Sequence, residues 1–411
     1  MSSETVKTER DTTHELSVRI EVGSLNADKV TGVGYYTASL IESMSCLPRT
    51  KVDVFNLGAK KAPLSTYLDI TPIHAAYSVP SLSRRLYRKL FQYVIAPPCD
   101  ATLPPVDVTI FPDFALWPTI HSTLSGVVVH DLTFIKYPQY MRSRSFGPIS
   151  LPVTTWYLAS AVPKSVRRAD FILTVSESIK SELIEIFGVD EKKILVTTIS
   201  PREDFKLQSE SLCPKDVLCK KYNIQTSDYI LSVGTLEPRK NHLALLNAYL
   251  QLPTDARSRY TLVIAGGPGW DCEETLSAIK AAQQGGEHVV LTGYFDIKDS
   301  YSLYAHATLF SSASHYEGFG MPLLEAFYAN TPLVVADIPV FREVAGPAAR
   351  YVDINDTQQY STSLLELLSD SNARDRLASL GKKRLATFSW KHNAEAIEAL
   401  CTSLLEQKSN K

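Results

Sequence analysis

Short apolar runs recur along this chain, each followed by a polar or glycine-containing turn and then a stretch with helical spacing. In the first half the runs Val18–Val22, Lys51–Leu57, Val106–Phe111, Gly126–His130, Phe171–Val175 and Ile194–Ile199 read as strands. A helix opens at Gly32 and runs to about Met44, and another covers Glu177–Phe187. Residues 58–105 resist the pattern: they hold many prolines and one basic amphipathic segment, residues 82–93. Residues 201–226 are polar and irregular, with a short helix near Asp216–Tyr222. A more regular series follows. Its strands are Tyr229–Val233, Tyr260–Ala265, His288–Leu291, Ala307–Phe310 and Pro332–Ala336. Its helices are Leu243–Leu250, Glu273–Gln284, Lys298–Ala305 and Pro322–Asn330, with two more near 357–368 and 391–405 from apolar periodicity alone. Strand–helix alternation predicts parallel sheets wrapped by helices: α/β, two sheets in one chain.

Length and composition narrow the picture. A chain of 411 residues exceeds one compact core. The predicted division is a disordered tail (1–17), a first domain (18–208), a second domain (209–388) and a closing helical segment (389–411). A net charge of −2 gives no global basic field of the nucleic-acid-binding kind. No apolar run approaches a membrane span, and the polar opening residues do not form a secretory leader. The six cysteines show no Cys-x-x-Cys pair and no zinc spacing with histidine, which reads as reduced thiols in a cytoplasmic protein.

Six stretches carry candidate chemistry. Gly234-Thr-Leu-Glu-Pro-Arg239-Lys240-Asn follows the first strand of the second half. Two adjacent cations at a strand's mouth can meet two phosphates, arginine by a fork of donors and lysine as a point charge. The loop Ala265-Gly266-Gly267-Pro-Gly269-Trp270 is either a ligand cradle or a tight turn, and it is not a Walker loop. Ser314-His-Tyr-Glu317-Gly318-Phe319-Gly320-Met321-Pro-Leu-Leu-Glu325 places one carboxylate in a glycine loop and a second in the first turn of the next helix. Its glycines and helix N-terminus suit a ligand with phosphates and hydroxyls. Gly32-Val33-Gly34 opens a helix that could approach a diphosphate, but position 37 is Thr, so the dinucleotide fingerprint is incomplete. His130-Asp131 leaves the carboxyl end of a strand, where ligands bind in such sheets. The basic segment 82–93 is either a membrane-surface helix or a solvated face. There is no Asp-x-Asp anywhere, so the usual acidic clamp for a metal-bound nucleotide sugar is missing.

In combined order these residues resemble the retaining glycosyltransferases of family 4 (glycosyltransferase group 1), most strongly over Leu231–Tyr351. The resemblance implies the GT-B fold: two Rossmann-like α/β domains facing a cleft, with a C-terminal helix returning to the first. It implies that Arg239 and Lys240 hold the donor diphosphate, with Gly234 and Gly266 at the donor site. Glu317 would bind the donor sugar and support the transition state, and Glu325 the ribose. Backbone around Gly318, Phe319, Gly320 and Met321 would face sugar and phosphates. Gly32, Val33 and Gly34 would approach the diphosphate from the acceptor domain, and His130, with Asp131 beside it, would touch the transferred sugar. Two departures stand out. Thr31 replaces the first of a glycine pair common in the family, and Ser200-Pro-Arg-Glu-Asp204 replaces the usual Asn-Gly.

The resemblance further implies a metal-independent hexosyltransferase that needs no cofactor. Its donor is a nucleotide diphosphate sugar, with GDP-mannose favoured and UDP-hexoses open. The acceptor is a hydroxyl of a lipid-linked or surface-polysaccharide glycan, and no nucleic acid is involved. Residues 82–93 offer a peripheral contact with the cytoplasmic face of the inner membrane. Two rivals stay open: a nucleotide-sugar epimerase or sugar synthase on the same fold, and a non-catalytic binding protein.

Overall fold

The structure, a computed structural model, describes residues 15–26, 31–57, 73–79, 97–141 and 153–410. The basic segment 82–93 and most of the expected tail lie outside these residues. Two parallel sheets form the framework. The first contains β1 (Leu16–Glu21), β2 (Thr50–Leu57), β3 (Ala75–Val79), β4 (Val106–Phe111), β5 (Ser122–Val129), β6 (Phe171–Thr174) and β7 (Ile194–Val196). Its strand order is β3-β2-β1-β4-β5-β6-β7. The second contains β8 (Asp228–Val233), β9 (Tyr260–Ala265), β10 (Val289–Gly293), β11 (Leu309–Ser312), β12 (Leu333–Ala336) and β13 (Ala349–Val352). Its order, β10-β9-β8-β11-β12-β13, is the doubly wound 3-2-1-4-5-6 arrangement counted from β8.

Packing divides the chain into two compact units. One comprises residues up to Val128, Arg168–Phe171 and Lys391–Lys411; the other comprises Val129–Arg167 and Ile172–Trp390. In the first unit Val18, Ile20, Val52, Val54, Val108 and Ile110 are buried along β1, β2 and β4. Gly126 is required there, because a Cβ at that position would lie 2.2 Å from the Phe171 ring. In the second unit every residue of β9 and β12 is buried, as a parallel sheet covered on both faces demands. Leu245, Leu246 and Tyr249 of the helix His242–Leu250 and Leu364 and Leu367 of the helix Thr357–Ser369 pack into that core. Among the described residues no helix is long and apolar enough to cross a membrane.

The observed elements differ from the sequence reading where the apolar signal is weak. β1 begins at Leu16, inside the expected tail. β3 and β13 were not predicted; both are edge strands, and each alternates partly exposed residues, so neither makes an apolar run. The helix Ser371–Leu385 was also missed, since its buried positions are the small residues Ala373 and Gly381. β7 stops at Val196 rather than Ile199.

Candidate donor site at the β8–β11 switch point

In a doubly wound sheet the crevice opens where strand order reverses, between the first and fourth strands. Here those are the hydrogen-bonded neighbours β8 and β11. The turn after β8 carries Arg239 and Lys240; the turn after β11 carries Glu317. Two stretches 77 and 78 residues apart in sequence are therefore joined by topology.

Backbone geometry shapes the first turn. Gly234 has φ of +155°. A Cβ on Gly266 would lie 1.9 Å from the Gly234 carbonyl oxygen, and one on Gly269 would lie 2.6 Å from that of Leu236. These glycines therefore buttress the turn: the Leu236 amide donates to Gly267 O (3.0 Å) and the Gly269 amide to Leu236 O (2.9 Å). Pro238–Lys240 then forms a single 3-10 turn, and Asn241, at φ 51°, starts the helix His242–Leu250. The two cations thus stand just ahead of that helix rather than in its first turn, near the positive end of its dipole.

Four charges meet in this crevice. Arg239 Nη1 donates to Glu317 Oε2 (2.7 Å) and to the Tyr316 carbonyl (2.9 Å), while its Nη2 pairs with Glu237 Oε1 (2.6 Å). Lys240 Nζ donates to Glu317 Oε1, which also accepts from Ser314 Oγ at 2.8 Å. The side chains of Arg239, Lys240, Glu317 and Glu237 are 18%, 16%, 11% and 4% exposed, so solvent screens the cluster little. Burial by itself pushes the Glu317 carboxyl up; the Arg239 and Lys240 charges, with the Lys240 and Ser314 hydrogen bonds, outweigh it and hold Glu317 at about 2. Burial opposes the Arg239 charge, but Glu317, Glu237 and Asp131 push that group above its ordinary value. Burial raises Glu237, with Arg239 and Lys240 opposing. Two cations and two carboxylates balance, and each cation is already held by an acid that an incoming anion must displace.

Glu325 sits elsewhere. The helix Met321–Tyr328 starts after Gly320, whose φ is +99°, and Glu325 is its fifth residue. The expected first-turn position is therefore corrected to the second turn, because the helix opens at Met321, one residue before the expected Pro322. Glu325 Oε2 accepts from the Tyr304 hydroxyl (2.8 Å), and Oε1 faces Arg202 Nε at 3.4 Å. Arg202 belongs to the Ser200–Asp204 stretch that departs from the family pattern, and it lines a recess with Ser200, Pro201, Met321, Leu324 and Glu325.

His130 and Asp131 follow β5 directly and meet the Glu317 loop. A Cβ on Gly318 would lie 2.0 Å from the His130 carbonyl oxygen, so only glycine allows that approach. His130 is buried, and Asp131 Oδ1 accepts from the Thr133 amide at 3.0 Å. Phe319 turns inward, edge-on to Phe388 at 5.7 Å between ring centroids.

Residues 215–384 match the family described as "Glycosyl transferases group 1". The chain carries a glycosyl transferases group 1 domain. That domain contains the whole four-charge cluster and Glu325. Among curated relatives, O-antigen chain mannosyltransferase B of Escherichia coli is 33% identical over 263 residues, covering 64% of this chain and 66% of that protein. O-antigen chain mannosyltransferase RfbU of Salmonella typhimurium is 28% identical over 263 residues, covering 62% and 66%. The serotype-specific mannosyltransferase WbdA of Escherichia coli is 30% identical over 243 residues, but only 29% of its length is covered. The chain thus spans just under two thirds of the first two relatives and less than a third of the last. Solved structures match almost throughout. Anabaena HepE in complex with UDP and glucose gives a TM-score of 0.65 at 15% identity, covering 94% of this chain and all of that one. WaaG, a glycosyltransferase involved in lipopolysaccharide biosynthesis, gives 0.64 at 14%, covering 94% and 99%. These likenesses establish the fold as GT-B.

The group 1 domain accordingly brings together Arg239, Lys240, Glu317 and Gly234, with Gly266 behind the turn, and packs His130 and Asp131 against Gly318. Gly32, Val33 and Gly34 open the helix Gly32–Ser45 of the other unit, and a Cβ built on Gly32 would meet, beyond its own neighbours and helix backbone, no atom of the described residues within 4 Å. Sequence reasoning missed Glu237, Ser314, Tyr316 and Arg202. All four lay within quoted stretches, but nothing in the sequence assigned them a role; burial and their contacts distinguish them.

Proposed function

We propose that the protein is a retaining, metal-independent hexosyltransferase that moves mannose from GDP-mannose to a hydroxyl of a lipid-linked or surface-polysaccharide glycan. The observation that carries this reading is the pairing of Arg239 and Lys240 with Glu317 at the switch point of a group 1 domain. Departure of a nucleoside diphosphate builds negative charge on the leaving phosphate. Fixed, partly buried cations stabilise that charge more strongly than water does, because they are already oriented. Arg239 offers a fork and Lys240 a point charge, which together match two adjacent phosphates without a metal bridge.

On donor binding the diphosphate takes over the cations, and Glu317, released from them, turns to the sugar hydroxyls. Paired with Arg239 and Lys240, Glu317 is an ionised carboxylate in the neutral range, and as a carboxylate it is suited to accept hydrogen bonds and to face an oxocarbenium-like sugar. The acceptor attacks the same face of the sugar that the phosphate leaves, and the departing phosphate takes its proton. Mannose and a glycan acceptor are favoured by relatives described as O-antigen chain mannosyltransferases. Glu325 is assigned to the ribose, in exchange for its contacts with Tyr304 and Arg202.

The test is a panel of nucleotide sugars measured by thermal shift, since a ligand that binds only the folded state raises its stability. GDP-mannose is expected to give the largest rise, and a glycan acceptor to yield a mannosylated product with retained anomeric configuration. K240A is expected to lower transfer by about a hundredfold or more; undiminished transfer overturns the diphosphate assignment. Conversion of donor alone to an epimer points to an epimerase instead.

A further inference from the structure

The loop that carries Glu317 is held on both flanks by residues far away in sequence. On the N-terminal side, the Tyr316 hydroxyl donates to Glu182 Oε2 (2.6 Å) and accepts from the Leu132 amide (3.1 Å). Glu182 Oε1 accepts from Lys136 Nζ at 2.6 Å, and that ammonium also lies 5.9 Å from the centre of the Tyr316 ring. On the C-terminal side, Ser176 Oγ donates to the Gly318 carbonyl at 2.8 Å. Ser176 and Glu182 belong to one element: Ser176 caps the helix Glu177–Phe187, accepting from the Ile179 amide, and Glu182 lies on it. That helix is itself anchored, because the Glu343 carboxylate accepts from the amides of Glu177 (2.7 Å) and Ser178 (2.9 Å).

Tyr316 is tied to the charge cluster by its other end, since its carbonyl accepts from Arg239 Nη1, the atom that also holds Glu317. Tyr316 is 7% exposed, and burial, then the Glu182 carboxylate, push its hydroxyl above the ordinary value. Its hydroxyl therefore keeps its proton, and can donate to Glu182, in the neutral range.

We propose that Tyr316 and Glu182 are positioning residues that fix where Glu317 lies once donor has displaced it from the cations. This rests on the function proposed above. The argument concerns what remains after the diphosphate enters. Arg239, Lys240 and Ser314 orient Glu317 in this structure. With the cations occupied by phosphate, those restraints weaken, and the orientation of the carboxylate depends on the backbone of residues 316 and 318. Glu182 and Ser176 clamp that backbone on either side, and neither touches the diphosphate cations directly. Loss of the clamp should thus leave phosphate binding intact and misplace the carboxylate that faces the sugar. Misplacement by about 1 Å typically costs around a hundredfold in rate.

The experiment uses the full chain with Y316F, E182A, E182Q and the double variant Y316F/E182A. GDP binding is measured by calorimetry, transfer by steady-state kinetics with the donor found in the panel above, and folding by thermal unfolding. The expected result is a fall in kcat of roughly 10- to 100-fold in Y316F and E182A, with the GDP Kd within about twofold of wild type. E182Q keeps an acceptor for the tyrosine hydroxyl and is expected to lose less than E182A. The double variant is expected to be no worse than the poorer single variant, because both act through one contact. Wild-type kcat in Y316F overturns the proposal, as does a loss of kcat that only follows lost GDP binding or a lowered folded fraction. A wild-type protein that transfers no sugar from any donor overturns the functional reading itself, and this proposal with it.

Discussion

At the scale of single residues, Glu317 supplies the counter-charge of the two cations beside it. Its two oxygens occupy the donors that a diphosphate needs. E317Q leaves Arg239 and Lys240 with Glu237 as the acid partner in the cluster. GDP should therefore bind E317Q about tenfold more tightly than wild type, as expected for removal of a close competing charge, while transfer falls to background; calorimetry and product assays check the two halves. The folded protein without ligand should lose stability, since breaking a buried pair by deleting one member costs on the order of 3–5 kcal/mol. Both cations and Glu317 were legible in the sequence, because adjacent bases at the mouth of one strand and an acid inside a glycine loop are unusual. Their mutual occupation was not, for it depends on β8 and β11 being neighbours.

At the scale of elements, the helix His242–Leu250 carries a second charge-sensitive feature. His242, its first residue, is 4% exposed, and Nδ1 lies 3.4 Å from Ser232 Oγ. Burial first, then the Lys240 charge, lower its pKa from 6.5 to about 4. The unfolded chain therefore binds a proton between pH 6.5 and about 4 that the native state refuses, and stability falls as pH drops through that window. Glu317 acts lower: its folded value of about 2 lies below the ordinary 4.5, so its contribution is full above pH 4.5 and lost toward pH 2. Urea unfolding at a series of pH values should show the slope between 6.5 and 4 flattened in H242N, with the loss below 4.5 retained. Elements with apolar periodicity, such as Glu177–Phe187 and Glu273–Gln284, were read to the residue. The helix Ser371–Leu385 was not, because close packing through Gly381, where a Cβ would meet the Phe327 ring at 2.3 Å, leaves no apolar stripe to detect.

At the scale of the molecule, the chain's last helix, Trp390–Ser409, contributes to the first unit although the second precedes it in sequence. Ala394, Ile397 and Cys401 are fully buried at helical spacing. Glu398 accepts from Thr50 (2.6 Å), and Lys408 reaches Asp170 and the Thr123 carbonyl, each at 2.8 Å. Ending the chain at Trp390 should cost the first unit roughly 3–5 kcal/mol from the lost burial of these side chains. Calorimetry should then resolve an early transition, while GDP still raises the second, because the four-charge cluster lies wholly in the other unit. The sequence by itself determined the two α/β sheets, the cation pair and the glycine loop with its acid, since periodicity, turn glycines and charge placement are local properties of a chain. Only the tertiary structure decided that Glu317 lies on Arg239 and Lys240, that Arg202 faces Glu325, and that Glu182 holds Tyr316. Those contacts join residues 77 to 134 positions apart, a separation that local spacing does not encode; the β8–β11 neighbour relation accounts for the first, and packing of the Glu177–Phe187 helix and the Ser200–Asp204 stretch for the other two.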